Sequence, residues 1–151
     1  MNKLAYYLSA DINYPKVSLK IDVTDIPANN NSFDVILCNH VLEHVPSDSK
    51  AMSELFRVLK PGGWAILQVP VSLSLDKTYE NPSVTSEADR IIEFGQKDHV
   101  RVYARDDYFR RLKRAGFAIE VFNFVKDYGE KEAEKYGLSK KEEVYVCSKR
   151  N

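Results

Sequence analysis

The sequence predicts a single α/β domain in which helices cover a mostly parallel sheet. Its 151 residues, 44% of them apolar, are enough for one well-packed domain. Residues 33–38 (FDVILC) form a short, nearly continuous apolar run, which is typical of a central parallel strand covered on both faces. An amphipathic helical segment and a second apolar run follow with short links, and this alternation is the pattern of layered α/β folds.

Six segments are predicted as strands. Residues 17–23 (VSLKIDV) alternate between apolar and polar side chains, which is the period-two pattern of a strand. The others are short apolar or aromatic runs bounded by polar residues or turn formers. In chain order, the predicted strands are residues 4–8, 17–23, 33–38, 64–69, 117–125 and 143–148.

The first predicted helix runs from a cap at Ser47 or Ser49 to about residue 60. Residues at helical spacing give it one apolar face. We expect the Pro61-Gly62-Gly63 sequence to stop the helix and turn the chain. The apolar face consists of Ala51, Met52, Leu55, Val58 and Leu59.

Residues 71–104 are too long for an ordinary connection, so we interpret them as a functional insertion on the substrate side of the domain. Within it, residues 86–94 are predicted as a short helix. A further helix is predicted to follow, capped by Asp106 and closed by Gly116. The charged residues 126–142 are expected to be a solvated loop with some helix.

Charge and composition exclude several functions. Lysine and arginine number 22, equal to aspartate and glutamate, so the sequence has no basic excess for nucleic-acid binding. No apolar stretch approaches the about 20 residues that span a bilayer. Cys38 and Cys147 lie in apolar runs and are expected to be buried thiols in a cytoplasmic protein, with one disulfide as the alternative.

Three longer strings resemble the class I S-adenosylmethionine-dependent methyltransferases of the type 11 group. They are DVTDIPANNNSFDVILCNHVLEHV, ELFRVLKPGGWAILQVP and DHVRVYARDDYFRRLKRAGF. They occur in the order found in that family, and the resemblance covers roughly residues 6–147. It implies a Rossmann-like sheet with an antiparallel carboxyl-terminal strand, and methyl transfer from S-adenosylmethionine to a small-molecule acceptor.

The resemblance also implies residues for cofactor binding. Asp11 matches the acidic residue that holds the ribose hydroxyls, a task suited to a carboxylate because it accepts charge-assisted hydrogen bonds. Ile12 would pack against the adenine face. Asp22 matches the acidic residue near the adenine amino group, with the Val23 backbone beside the ring.

Five further residues are predicted to surround the reacting groups. Asn39 and His40 follow the 33–38 strand, where the family lines its methyl-transfer site. His99, Arg101 and Tyr103 alternate along an extended segment and would share one face. We expect His99 to act as a base or orienter, and Arg101 with Tyr103 to bind substrate. The alternative is a structural hydrogen-bond cluster that pins the insertion to the sheet.

The first 61 residues contain no glycine, although the family begins with a strand and a glycine-containing loop that holds the methionine part of the cofactor. We therefore expect a methyltransferase domain that lacks this first strand and loop. Four explanations for this difference remain open. They are a cut chain, a shortened gene, a shift of residues 4–8 into the vacant place, and exchange of elements in a homodimer. A non-catalytic remnant or interaction module is the main alternative function.

The sequence His40-x-x-Glu43-His44 also matches a zinc-protease motif, in which two histidines bind zinc and the glutamate is the base. Two observations argue against a zinc hydrolase. The motif follows a predicted strand instead of lying within a long helix, and the sequence signals no strong third ligand. We therefore expect no bound metal, and a role for His44 in packing or hydrogen bonding.

Overall fold

A computed structural model describes residues 6–137 and 143–151. Five α-helices and one short 3-10 turn, Leu42–His44, are present in these ranges. The helices are α1 (Asp48–Val58), α2 (Glu87–Phe94), α3 (Arg105–Ala115), α4 (Phe124–Tyr128) and α5 (Glu130–Lys135). The strands are β1 (Ala10–Asp11), β2 (Leu19–Lys20), β3 (Phe33–Asn39), β4 (Leu59–Gln68), β5 (Val71–Ser72), β6 (Tyr79–Glu80), β7 (Arg101–Ala104), β8 (Ala118–Phe122) and β9 (Val144–Ser148).

The main sheet has four strands in the order β3-β4-β9-β8. Strands β3 and β4 are parallel, with Val35 opposite Trp64 and Asn39 opposite Gln68. Strand β9 pairs antiparallel with both β4 and β8. The predicted α/β class and the antiparallel carboxyl-terminal strand are therefore confirmed. The sheet is mixed and not mostly parallel as predicted, because two of its three pairings involve the antiparallel β9.

Helices α1 and α3 pack together and enclose the core against the sheet. The predicted apolar face of α1 is confirmed, because Ala51, Met52, Leu55 and Val58 are all buried. Tyr108 of α3 is also fully buried, and its hydroxyl donates a hydrogen bond of 2.9 Å to the carbonyl oxygen of Leu67. Burying this ring costs little because its polar atom has a partner.

The first two strands are shorter than predicted. Residues 4 and 5 lie outside the described residues, and residues 6–9 are not in a strand, so the first pairing begins only at Ala10. The predicted strand over residues 17–23 is reduced to Leu19–Lys20. Ile21 and Val23 pack against the core, but Leu19 is exposed, so only part of the alternating pattern is buried. Incomplete burial weakens the preference for a longer strand.

The Pro61-Gly62-Gly63 sequence does not end α1, contrary to prediction. The helix ends at Val58, and β4 begins at the next residue. The glycines instead lie where the register between β3 and β4 shifts, with Phe33 opposite Leu59 but Val35 opposite Trp64. Gly62 has a φ of +76°, and its N–H donates to the carbonyl oxygen of Lys149. Glycine suits this irregularity because it adopts a positive φ without strain.

Strand β3 is open on one side and one face. Within the described residues it pairs only with β4, and the side chain of Leu37 is 61% exposed. Val35 is exposed as well. The prediction of a central strand covered on both faces is therefore wrong for this structure, because an apolar run shows that a strand is apolar but not what lies beside it.

The insertion folds into a small sheet of its own. Strand β7 lies between β5, which is parallel to it, and β6, which is antiparallel. Helix α2 matches the prediction for residues 86–94, and the Ser86 side chain accepts a hydrogen bond from the N–H of Asp89. The predicted cap at Asp106 is wrong, because α3 begins one residue earlier, after Ala104.

Both cysteines are buried free thiols, as expected. Burial raises the pKa of Cys147 to about 12, and burial together with the negative charge of Glu43 raises the pKa of Cys38 to about 12. Neither thiol is therefore ionised at neutral pH. In the described parts of the chain, no helix has the length and apolar character needed to cross a bilayer.

Gly116 allows a test of the packing between α3 and α1. It follows α3 with a φ of +110°, and an added Cβ would lie 2.6 Å from the Phe56 ring. Gly95 follows α2 with a φ of +85° and has open space around it. We expect Gly95→Ala to cost about 1–2 kcal/mol from backbone strain alone. Gly116→Ala should cost about 1–3 kcal/mol more because of the added overlap.

Urea denaturation of both variants measures the difference. Equal losses of unfolding free energy would contradict the close approach of α3 to Phe56.

Candidate functional site

Two carboxylates lie at the same end of the β1/β2 pair. These strands are parallel, and the N–H of Ile21 donates to the carbonyl oxygen of Asp11 over 3.1 Å. Asp22, the next residue, therefore follows β2 at the end of the ribbon that carries Asp11. Ligands of open α/β folds bind at such carboxyl ends of strands.

Each carboxylate is held by hydrogen bonds from its own turn. Asp11 Oδ1 accepts from the N–H groups of Asn13 and Tyr14, both at 2.7 Å. Asp22 Oδ1 accepts from the N–H and hydroxyl groups of Thr24, both at 2.8 Å. These bonds lower the pKa of both aspartates, so both are ionised at neutral pH. Ile12 is exposed beside them, and Val23 is partly buried.

The end of β3 presents Asn39 and His40 to solvent. His40 has a φ of +55°, a left-handed conformation that histidine adopts more readily than most residues. Its N–H donates to the carbonyl oxygen of Gln68 at 2.9 Å, which fixes it at the end of the sheet. Its side chain is 63% exposed, and Nδ1 lies 3.2 Å from Oε1 of Glu43. The imidazole is thus oriented but accessible.

The chain's three histidines, His40, His44 and His99, surround Glu43, which is 2% exposed. Nε2 of His44 lies 4.0 Å from Glu43 Oε1, and the rings of His44 and His99 make an edge-to-face contact at 4.7 Å. His99 is 7% exposed. Burial, and then the proximity of His44, lowers the pKa of His99, so its neutral form is favoured. Its predicted role as a base in contact with substrate conflicts with this burial.

Arg101 is also placed differently from its predicted role. Its side chain is 4% exposed, so the guanidinium does not reach a substrate-accessible surface. It donates to the carbonyl oxygens of Leu42 (2.8 Å), Val45 and Pro46 (2.9 Å), and to the Glu80 carboxylate (2.6 Å). We call this set of contacts the Arg101 clamp. It joins the insertion to the turn that carries Glu43 and His44.

Tyr103 is fully buried beside the clamp. Its hydroxyl donates to Asp48 Oδ2 at 2.9 Å, and Arg111 Nη1 donates to the same oxygen at 2.8 Å. Burial, followed by the charge of Asp48, raises the pKa of Tyr103. Its predicted contact with substrate conflicts with full burial, and the geometry matches the alternative of a cluster that pins the insertion in place.

Sequence reasoning missed most of this network. Asp48, Glu80 and Arg111 were given no role, although Arg111 joins Asp48 to Glu80 through bonds of 2.8 and 2.9 Å. In sequence, Arg111 lies at the edge between the apolar and the charged face of α3, a position typical of a solvated arginine. The acidic partners are 63 and 31 residues distant in sequence, so spacing alone could not reveal them.

An open groove of about 480 Å³ lies between the insertion and the start of α3. Two arginines contribute to its wall, but each already has a carboxylate partner. Arg105 forms two bonds with Glu143, and Arg110 pairs with Asp107. The lining residues are Ser72, Leu73, Leu75, Asp76, Arg105, Asp106 and Arg110.

The chain is similar to known methyltransferases over part of their length. Residues 4–67 match the family model described as a methyltransferase domain. The chain is 30% identical over 131 residues to 27-O-demethylrifamycin SV methyltransferase of Amycolatopsis mediterranei, which covers 84% of this chain and 44% of that protein. It is also 41% identical over 54 residues to a ubiquinone biosynthesis O-methyltransferase of Paracidovorax citrulli. That alignment covers 36% of this chain and 21% of that protein. In sequence, the chain is thus similar to methyltransferases.

Solved structures show the same class I methyltransferase fold. A structure described as a methyltransferase from Bacillus halodurans superposes with a TM-score of 0.59 at 17% identity, covering 95% of this chain and 81% of that one. The 1,6-didemethyltoxoflavin-N1-methyltransferase of Burkholderia thailandensis gives 0.56 at 18% identity, with 88% and 50% covered. The chain spans less than half the length of the two curated relatives.

The Arg101 clamp can be tested by its effect on stability. We expect Arg101→Met to lower the free energy of unfolding by about 3–5 kcal/mol, because it breaks the buried ion pair with Glu80 and removes the donor to the carbonyl groups of Val45 and Pro46. Arg110→Met removes an arginine from an exposed pair and should cost less than about 1 kcal/mol. Denaturant unfolding measures both, and a loss for Arg101→Met as small as that of Arg110→Met would contradict the clamp.

Proposed function

We propose that this chain forms part of an enzyme that transfers a methyl group from S-adenosylmethionine to a small-molecule acceptor. When bound, the cofactor supplies an electrophilic methyl group on a sulfonium. The observation that carries the proposal is the pair Asp11 and Asp22: two exposed, ionised carboxylates held at one end of parallel strands. Its support from relatives is the match to the methyltransferase domain.

The two carboxylates fit the nucleoside part of this cofactor. In each, Oδ1 is held by its turn, and the carboxylate as a whole is exposed. A carboxylate with a free lone pair accepts well from ribose hydroxyls, which is the role we propose for Asp11, or from an adenine amino group, proposed for Asp22. The exposed side chain of Ile12 and the backbone of Val23 would contact the purine.

His40 is the residue that we propose as the base. If its Nδ1–H donates to Glu43, the lone pair of Nε2 faces solvent and can take a proton from an acceptor hydroxyl or amine. Asn39, exposed beside it, would hold the cofactor or orient the acceptor. His99, Arg101 and Tyr103 are proposed as positioning residues, because their burial leaves them acting through the turn that carries Glu43.

The acceptor is proposed to be a small organic molecule. By their names, two similar proteins act on 27-O-demethylrifamycin SV and on 1,6-didemethyltoxoflavin, both small molecules. We propose that residues 71–104 shape the acceptor side of the same domain, since they follow β4 directly and hold the open groove.

Titration calorimetry with S-adenosylhomocysteine tests the proposal. We expect binding that Asp11→Asn and Asp22→Asn each weaken about 10- to 100-fold, the loss that accompanies removal of a hydrogen bond to a charged group. Asp127→Asn, at an exposed aspartate of α4, is the matched control and should bind like the unaltered chain. Absence of binding at millimolar ligand would contradict the proposal and favour the non-catalytic alternative.

The pH dependence of the same binding follows from the lowered pKa values of the two aspartates. Each carboxylate stays ionised until the pH falls below the usual aspartate value of about 3.9. We therefore expect constant affinity from neutral pH to about pH 5 and a decrease only in stronger acid. The Asp11→Asn/Asp22→Asn double variant separates titration of the ligand from that of the protein. If affinity for the ligand decreased equally in acid in the unaltered chain and in the double variant, the two carboxylates would not be the cause of the pH dependence.

A further inference from the structure

The environment of Glu43 is unusual for a buried carboxylate. The side chain is 2% exposed, and its ion-pair partners in the described parts of the chain are two histidines, His40 and His44. Its second oxygen, Oε2, is buried and has no hydrogen-bond partner among the described residues. A buried charge without full pairing is costly, so a further positive group is expected at this position.

The orientation of His44 shows that the neutral His44 ring does not supply this positive group. Its Nδ1 lies 3.2 Å from the carbonyl oxygen of Asp98, which can only accept, so Nδ1 must carry the proton. In the neutral ring, Nε2 then has a lone pair, and it lies 4.0 Å from Glu43 Oε1. Two acceptors thus approach each other across a gap too long for a hydrogen bond.

His99 completes a set of three donors. One donor atom each from Glu43, His44 and His99 lies within 4.8 Å of the other two. The sequence signals no strong third ligand for the His40-x-x-Glu43-His44 motif. The fold supplies one from a residue 55 positions after His44, because the N–H of Val100 donates to the carbonyl oxygen of Glu43 at 3.0 Å and holds the segment there.

We propose that Glu43, His44 and His99 bind a divalent transition-metal ion of the zinc type. Two imidazole nitrogens and one carboxylate oxygen are a common ligand set for such ions, with bond lengths of about 2.0–2.2 Å. The hydrogen bond from His44 to the Asp98 carbonyl is the outer contact that fixes the tautomer of a metal-binding histidine. The donors must approach by about 1 Å to reach tetrahedral spacing. His44 is the least buried of the three and so the easiest to move.

This ligand set differs from that of the zinc-hydrolase hypothesis. There, His40 and His44 bind the metal and Glu43 is the base, whereas here Glu43 is itself a ligand and His40 lies outside the set. The exposed His40 borders the site through its contact with Glu43. The metal site does not depend on the proposed methyl transfer, because it uses neither Asp11 nor Asp22.

Zinc titration of the full chain, after treatment with a chelator, tests the proposal. We expect one equivalent to bind, with a rise in the thermal midpoint and visible absorption bands when Co²⁺ replaces Zn²⁺. We expect zinc affinity to fall by more than about 100-fold in each of the variants Glu43→Gln, His44→Gln and His99→Gln. Loss of a residue that only contacts a ligand lowers metal affinity by at most about 100-fold, so a larger loss indicates a ligand. His40→Gln is the matched control and should retain binding.

The variants also distinguish the alternatives. Substoichiometric zinc in the unaltered chain, or equal affinity in the His44→Gln variant, would overturn the proposal, and a protonated His44 would then be the partner of Glu43. If zinc affinity fell more in the His40→Gln variant than in the His99→Gln variant, the metal would belong to the protease-like motif instead. Because His44 is partly exposed, its variant is expected to fold even if Glu43→Gln does not.

Discussion

The candidate site depends on a single buried guanidinium. The turn at residues 42–46 follows β3 and contains only a single 3-10 turn, so the carbonyl groups of Val45 and Pro46 have no helical partners. Arg101 donates to three of these carbonyls and to Glu80 at once, which a lysine could not do because it lacks the planar fork of donors. The clamp therefore fixes the backbone between Glu43 and α1, and with it the positions of the neighbouring histidines.

The clamp also explains why the insertion is ordered around β7. This strand carries Arg101 and Tyr103 inward on one face, where they meet Asp48 and, through it, Arg111 of α3. Buried charges of both signs alternate in this network, so each has a partner and none is left unpaired. The residues that were predicted to bind substrate thus hold the insertion against the core of the domain.

Local pattern was sufficient to predict the elements whose burial is local. The apolar spacing of Ala51, Met52, Leu55 and Val58 predicted α1, and the short helix predicted over residues 86–94 is α2. Local pattern was insufficient where the position of a residue depends on contacts with residues distant in sequence. Alternation placed Arg101 and Tyr103 on one face but could not show that the face is covered. Asp11 and Asp22 came from family resemblance, whereas the meeting of His99 with Glu43 required the three-dimensional fold.

The open side of β3 has a consequence for how the chain behaves in concentrated solution. An unpaired strand edge with apolar side chains is a template for pairing with other chains and so for aggregation. Leu37 and Val35 provide such a surface, and between Phe33 and Val35 lies the strand's single charged residue. Asp34 is largely exposed and forms an ion pair with Lys60 at 2.8 Å. We expect the charge at this position to oppose edge-to-edge association, a contribution of Asp34 that is separate from any catalytic role.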